Sequence, residues 1–343
     1  MWRLFLRIFR LLFATMASIR QHLEKLASSM LSGKLQILSA PEKPGLAYGI
    51  AQIVDNVESL EHMLKSLSTA KQIALDSEGI SLGRTGKLCL LSVAPAPAPD
   101  APPEMPAPVF LLDVTSLSTL AFTHKPGQPL PPGRGSRSRS RGTAGAASSG
   151  SGCGNSNGLR CLKEMLECPS VTKLFYDVRC DAEALYHQHG VSLKGVVDLQ
   201  LSEVAYRRYG PVVRRVGYVI GLSKALESYL APELRERWQA TAVDKRLLHE
   251  TFERDPMYWD RRPLSQEQVR YAADDVLYLH HLHREFTGAL TPPIFERVAL
   301  FSQYRVEDSQ HEVVPTKEGF TGAGGGGGRG GSDPTRALAP PGL

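Results

Sequence analysis

Residues 72–93 read QIALDSEGISLGRTGKLCLLSV. One apolar run, 72–78, closes on Asp76 and Glu78, and a second follows at 87–93. Gly79, Gly83 and Gly86 punctuate the gap between them. Short apolar runs bounded by glycine read as buried strands joined by a turn. Downstream, VFLLDV at 109–114 makes a third such run; upstream, VESLEHMLKSLST at 57–69 has helical apolar spacing. The second half alternates. Residues 159–167 read as helix, 171–177 as strand, 180–189 as helix and 196–200 as strand, with helical spacing again at 221–229, 243–254 and 265–287. Strands in succession, then helix–strand–helix–strand, then helices, predict an α/β fold with a mixed sheet flanked by helices.

Four segments fall outside this pattern: 1–43, 94–108, 124–158 and 316–343. The chain's 343 residues include 31 Gly and 24 Pro, and the excess of both sits in these segments. Removing them leaves roughly 220 residues, enough for one domain with a real core. The 94–108 stretch is proline-rich and extended in character. The 124–158 stretch is Gly/Ser/Arg-rich, with too little apolar surface to order itself. The organisation expected is an N-terminal basic segment and linker over 1–43, one domain over 44–315 interrupted by two insertions, and a Gly-rich flexible tail over 316–343.

The net charge of +5 says little about a partner. Arg3, Arg7, Arg10 and Arg20 lie in the N-terminal segment, and Arg134, Arg137, Arg139 and Arg141 in the second insertion. Without them the chain is slightly acidic, so any nucleic-acid role must be argued from a site. Five cysteines and no C-x-x-C argue against a disulfide framework and against a zinc site. No apolar stretch reaches 18 residues, so no stable transmembrane segment is expected. Arg3, Arg7 and Arg10 share one face of an acid-poor amphipathic start, which reads as an organellar presequence, for instance mitochondrial. The rival reading is a basic helix lying on a membrane surface.

Candidate chemistry sits on acids. Asp76 and Glu78 are two apart, so in a strand both side chains face one side. Paired carboxylates repel unless a cation lies between them, and hard divalent cations suit an all-oxygen site. Their alternative is a strand end facing water. Asp181 stands at the start of a helix, where Asp also serves as a cap. Tyr271 and Asp275 are four apart and share a helical face, with ordinary surface placement as the alternative.

Taken in order, these pieces resemble the 3′–5′ exonuclease domain of the ribonuclease D and Werner-type group. The residues that carry the resemblance are ALDSEG followed by GKLCLLSVA, VTKLFYDVRCDAEALYHQHGV followed by VVDLQLSEVAY, and RPLSQEQVRYAADDVLYL, within 48–288. Each motif alone is weak, and the ordered set is strong. The resemblance implies a ribonuclease H-like fold and the DEDDy subgroup. It implies that Asp76, Glu78, Asp181 and Asp275 hold two divalent ions, Mg²⁺ or Mn²⁺, and that Tyr271 orients the attacking water. The implied reaction is hydrolysis of RNA or single-stranded DNA from the 3′ end, releasing 5′-mononucleotides. Two positions depart from the pattern: Tyr176 where the family often has His, and Ser92 where it often has Gln. These departures keep open a second class of function, an inactive module that binds nucleic acid as an adaptor. Arg84, Lys87, Arg261 and Arg262 are candidates for phosphate contacts, with solvated surface charge as their alternative. Trp238, Tyr258 and Trp259 are candidates for base stacking, with core packing as theirs.

Overall fold

The computed structural model describes residues 51–97, 108–128, 160–211, 216–242, 248, 251 and 254–311, all within one compact unit, Leu46–Leu343. The expectations for the N-terminal segment, most of both insertions, most of the helix at 243–254 and the tail concern residues outside this set.

Six strands form one mixed sheet in the order β1-β4-β3-β2-β5-β6. They are β1 (Ala51–Val54), β2 (Gln72–Ile80), β3 (Lys87–Pro95), β4 (Val109–Asp113), β5 (Thr172–Phe175) and β6 (Val196–Asp198). β2 and β3 pair antiparallel, as do β3 and β4, whereas β1–β4, β2–β5 and β5–β6 are parallel. The helices with ranges among the described residues are α1 (Val57–Leu67), α2 (Val114–Leu117), α3 (Leu120–Thr123), α4 (Leu162–Leu166), α5 (Arg179–His189), α6 (Leu199–Tyr209), α7 (Leu222–Tyr229), α8 (Pro232–Thr241), α9 (Gln266–Leu277), α10 (Leu279–Ala289) and α11 (Pro292–Gln310).

The alternation of β2 explains the layers. Ile73 and Leu75 join one core cluster with α1, α4 and α5, while Ala74 joins the other with α6, α9 and α10. Helices thus cover both faces, the three-layer solution for a sheet apolar on both sides. α11 straddles the β6 edge: Val306 belongs to the first cluster and Val298 to the second.

The strand β1 and the helices α6, α8 and α11 extend the sequence reading. β1 is a four-residue edge strand with two exposed positions, too short for a periodic signal. The run 196–200 is a strand only to Asp198, after which helix α6 begins. The single helix expected over 265–287 is two, broken at Tyr278 (φ −106°, ψ 0°). β3 continues to Pro95, two residues past its expected end and into the segment assigned to the first insertion.

Candidate active site

The site is built on β2. Asp76 and Glu78 are half-buried, and Ser77 between them is buried toward the opposite face. Asp76 pairs across to Ser92 and Glu78 to Leu90. The register then shifts between Glu78 and Gly79, passing over Cys89 on β3. A bulge of this kind bends the strand and re-aims nearby side chains. Glycine is required at its far side, because a Cβ on Gly79 would lie 2.1 Å from the Lys87 carbonyl oxygen. The bulge therefore interrupts the regular pairing of β2 directly after Glu78.

α9 delivers the remaining groups on this face. Its start is fixed by a capping box: the Ser265 hydroxyl accepts from the Gln268 backbone N–H at 3.1 Å, and Gln268 Oε1 accepts from the Ser265 N–H at 2.7 Å. Gln268 Nε2 donates to the Tyr258 carbonyl at 2.6 Å, which ties the cap to the 3₁₀ turn Tyr258–Asp260. Tyr271 and Asp275 then follow one turn apart.

Asp76, Glu78 and Asp275 each offer a ligand atom within 4.8 Å of the other two. Tyr271 lies beside them. Burial, then the negative charges of Asp275, Glu78 and Asp76, push its hydroxyl well above the usual tyrosine range. The phenol therefore stays protonated, able to donate one hydrogen bond. Its ring packs 5.8 Å from Trp259, which is buried in the core. Trp259 thus takes the core role, and Trp238 and Tyr258 pack against the same cluster.

Asp181 is not in the group of three. It rides in the first turn of α5, whose Ala182 and Leu185 join the first core cluster. It is not the helix cap, which is Val178. Burial first, then the charge of Asp177, raise its carboxyl to about 7, only partly offset by Ser77. Its Oδ1 is buried and accepts no hydrogen bond. A buried carboxyl oxygen without a donor is costly unless a ligand completes it. The structure thus gathers three of the four expected acids with Tyr271, and Asp181 stands outside that group.

Asp177 makes the turn into α5 with φ 71°, a conformation Asp tolerates better than most residues. Burial alone would raise its carboxyl, but Arg179 and Arg305 outweigh burial and hold it low. Tyr176, the departure from His, donates its hydroxyl to the Ile220 carbonyl at 3.0 Å. Ser92, the departure from Gln, is fully buried opposite Asp76.

The four basic candidates divide. Arg262 has all five of its N–H groups taken by protein. They go to both Asp113 oxygens at 2.6 Å, to Cys89 O at 3.1 Å, to Trp259 O at 2.9 Å and to Arg261 O at 2.8 Å. It staples the approach to α9 onto β3 and β4. Arg84 donates to Glu183 at 2.9 Å and to the His311 carbonyl at 2.5 Å. Lys87 pairs with Asp260, and Arg261 pairs with Asp255 at 2.9 Å. Lys87 and Arg261 remain exposed at 45% and 69%, so they retain surface open to a phosphate.

The sequence reading did not single out Gln268, Ser302 or Arg305. The S-x-x-Q spacing of Ser265 and Gln268 was a legible capping signal. Ser302 and Arg305 carried none, because their partners lie about a hundred residues away.

A family model described as a 3′–5′ exonuclease matches residues 151–291. The matched span contains Asp181, Tyr271 and Asp275; Asp76 and Glu78 precede it. The chain is 28% identical over 140 residues to piRNA biogenesis protein EXD1 of Bombyx mori, covering 41% of this chain and 40% of that protein. The chain has the fold of Trypanosoma brucei ribonuclease D, with a TM-score of 0.54, 24% identity, and 79% and 76% of the two chains covered. The structure of the same enzyme in complex with RNA U12 gives the same TM-score and identity over 79% and 75%. Among the described residues, no helix is long and apolar enough to cross a membrane.

Proposed function

We propose that this chain is a metal-dependent 3′–5′ exonuclease of the DEDDy type, acting on RNA or single-stranded DNA. The observation that carries the reading is the convergence of Asp76, Glu78 and Asp275 within 4.8 Å, beside a protonated Tyr271, in a chain that a 3′–5′ exonuclease family model matches. The donor set fits hard divalent cations: it is all carboxylate oxygen, and Asp181 supplies a further buried oxygen that accepts nothing from the protein. Asp76, Glu78, Asp275 and Asp181 are the residues that would hold Mg²⁺ or Mn²⁺. When bound, such ions supply Lewis acidity for water activation and for the departing 3′-oxygen.

The chain's own residues do the rest. Tyr271 donates a hydrogen bond from its hydroxyl to the attacking water or to a phosphate oxygen, keeping its proton, and so fixes the line of attack on the terminal phosphodiester. Trp259 packs between Tyr258 and Tyr271, 5.4 and 5.8 Å from their rings, and so backs Tyr271 beside the acids. Exposed Lys87 and Arg261 attract the polyanion without reading sequence. The bond broken lies between phosphorus and the 3′-oxygen of the preceding nucleotide, so the product is a 5′-mononucleotide. That a ribonuclease D of the same fold was captured with an RNA supports a nucleic-acid strand as the substrate.

Substitution tests the assignment. Asp76→Ala is expected to abolish hydrolysis of a labelled oligonucleotide while the protein stays folded, because the change also relieves carboxylate repulsion. Degradation at the unaltered rate would remove Asp76 from the mechanism.

A further inference from the structure

Asp181 differs from the other three acids in how it is held. β2 and α9 fix Asp76, Glu78 and Asp275 directly. Asp181 comes from the opposite layer, and its position depends on the turn that leads from β5 into α5. That turn hangs on Asp198, a fully buried residue at the end of β6. Asp198 Oδ1 accepts from the backbone N–H of Asp177 at 2.9 Å and of Gln200 at 3.0 Å. Its Oδ2 accepts from the N–H of Val178 at 3.1 Å and from Arg305 Nη1 at 2.6 Å. The same guanidinium nitrogen lies 3.5 Å from Asp177 Oδ1. The Asp198 N–H donates to the Ser302 hydroxyl at 2.9 Å, and that hydroxyl donates to the Val298 carbonyl at 2.7 Å.

Arg305, Ser302 and Val298 all belong to α11, beyond the span matched to the exonuclease family. We propose that Arg305, acting through Asp198 and Asp177, is a positioning residue that sets where Asp181 stands for cation binding. A positive φ at a non-glycine residue persists only where its surroundings over-determine it. Here the Asp198 carboxylate supplies that constraint by taking both N–H groups of the turn. The buried carboxylate in turn requires a cation, because a lone buried charge is far costlier than a paired one. Arg305 is 12% exposed and is that cation. Its loss frees the turn to move toward water while the body of α5 stays held by Ala182 and Leu185 in the core. Asp181 lies four residues past Asp177 and moves with the turn.

This inference rests on the metal-site reading above, and the test separates the two. The full chain and its Arg305→Met, Arg305→Lys and Ser302→Ala variants are titrated with Mn²⁺ without substrate, by the electron-spin signal of free Mn²⁺. Melting in EDTA is recorded beside it. Partners that orient metal ligands are typically worth about 10- to 100-fold in metal affinity. Arg305→Met is expected to weaken Mn²⁺ binding by about tenfold or more, with Arg305→Lys recovering part of the loss. A lowered melting point with unchanged Mn²⁺ affinity makes Arg305 structural only and overturns the inference. If Arg305→Met does not fold, Ser302→Ala reads the same latch with both charges kept. A several-fold weaker affinity there supports the inference, and an unchanged one overturns it. Absence of Mn²⁺ binding by the unaltered chain overturns the metal-site reading itself, and this inference with it.

Discussion

Arg262 holds Asp113 in a two-point ion pair, with Nε and Nη2 each 2.6 Å from a different carboxylate oxygen. Asp113 is 2% exposed, and its oxygens also cap the short helix α2 through Ser116. Burial alone would raise this carboxyl, but the Arg262 and Ser116 hydrogen bonds outweigh it and hold it low. Breaking such a buried pair from one side typically costs about 3–5 kcal/mol. Arg262→Ala is therefore expected to lower stability by that order in urea unfolding. Lysine will not restore it, since a single ammonium cannot reproduce the fork. A substrate-binding role would instead leave the unfolding midpoint in place and raise KM.

Asp181 predicts a pH dependence of stability. Without cations its carboxyl sits at about 7 in the folded chain, against 3.8 for the ordinary group. Between those values the folded chain holds a proton that the unfolded chain releases. Stability from this group is complete below about pH 4 and is lost as pH rises through 7. Asp181→Asn keeps the neutral shape at every pH. In EDTA its advantage over the unaltered chain should grow from nothing near pH 4 to at most about 4 kcal/mol at pH 8. Melting curves across that range check it, and a constant difference between the two proteins would contradict it.

Tyr271 predicts a rate effect without a titration. Its hydroxyl is pushed up by burial and by three neighbouring carboxylates, so it does not ionise in the working pH range. Tyr271→Phe removes one hydrogen bond at the reacting centre, worth about 1–3 kcal/mol, so kcat should fall roughly 10- to 100-fold. The shape of the pH–rate profile should be the same in both proteins. Loss of an alkaline limb in the Phe variant would show that Tyr271 acts as an ionising base.

The two strands at 72–80 and 87–95 were legible because their apolar runs are long and glycine marks the gap. The D-x-E spacing placed Asp76 and Glu78 on one face by the period of a strand, and the four-residue spacing did the same for Tyr271 and Asp275. Position across layers was not legible. Asp181 belongs to a helix on the far side of the sheet, and which face α5 covers follows from the order β3-β2-β5, which one strand's pattern does not contain. Arg262 illustrates a second limit. An arginine beside a proline looks like surface charge, and only the assembled chain brings Asp113 and the Cys89 carbonyl to it. α11 passed unread, since its two ends face different core clusters and no single apolar stripe runs along it.

The central claim is cleavage from the 3′ end by a carboxylate-held metal site. The most direct measurement is a time course on 5′-labelled single-stranded RNA and DNA, with Mn²⁺, Mg²⁺ or EDTA, for the unaltered chain and Asp76→Ala. The account predicts a ladder that shortens from the 3′ end with either cation, and intact substrate with EDTA or with Asp76→Ala. Intact substrate in every lane, from folded protein that binds the strand, would contradict it and identify the chain as a nucleic-acid-binding adaptor.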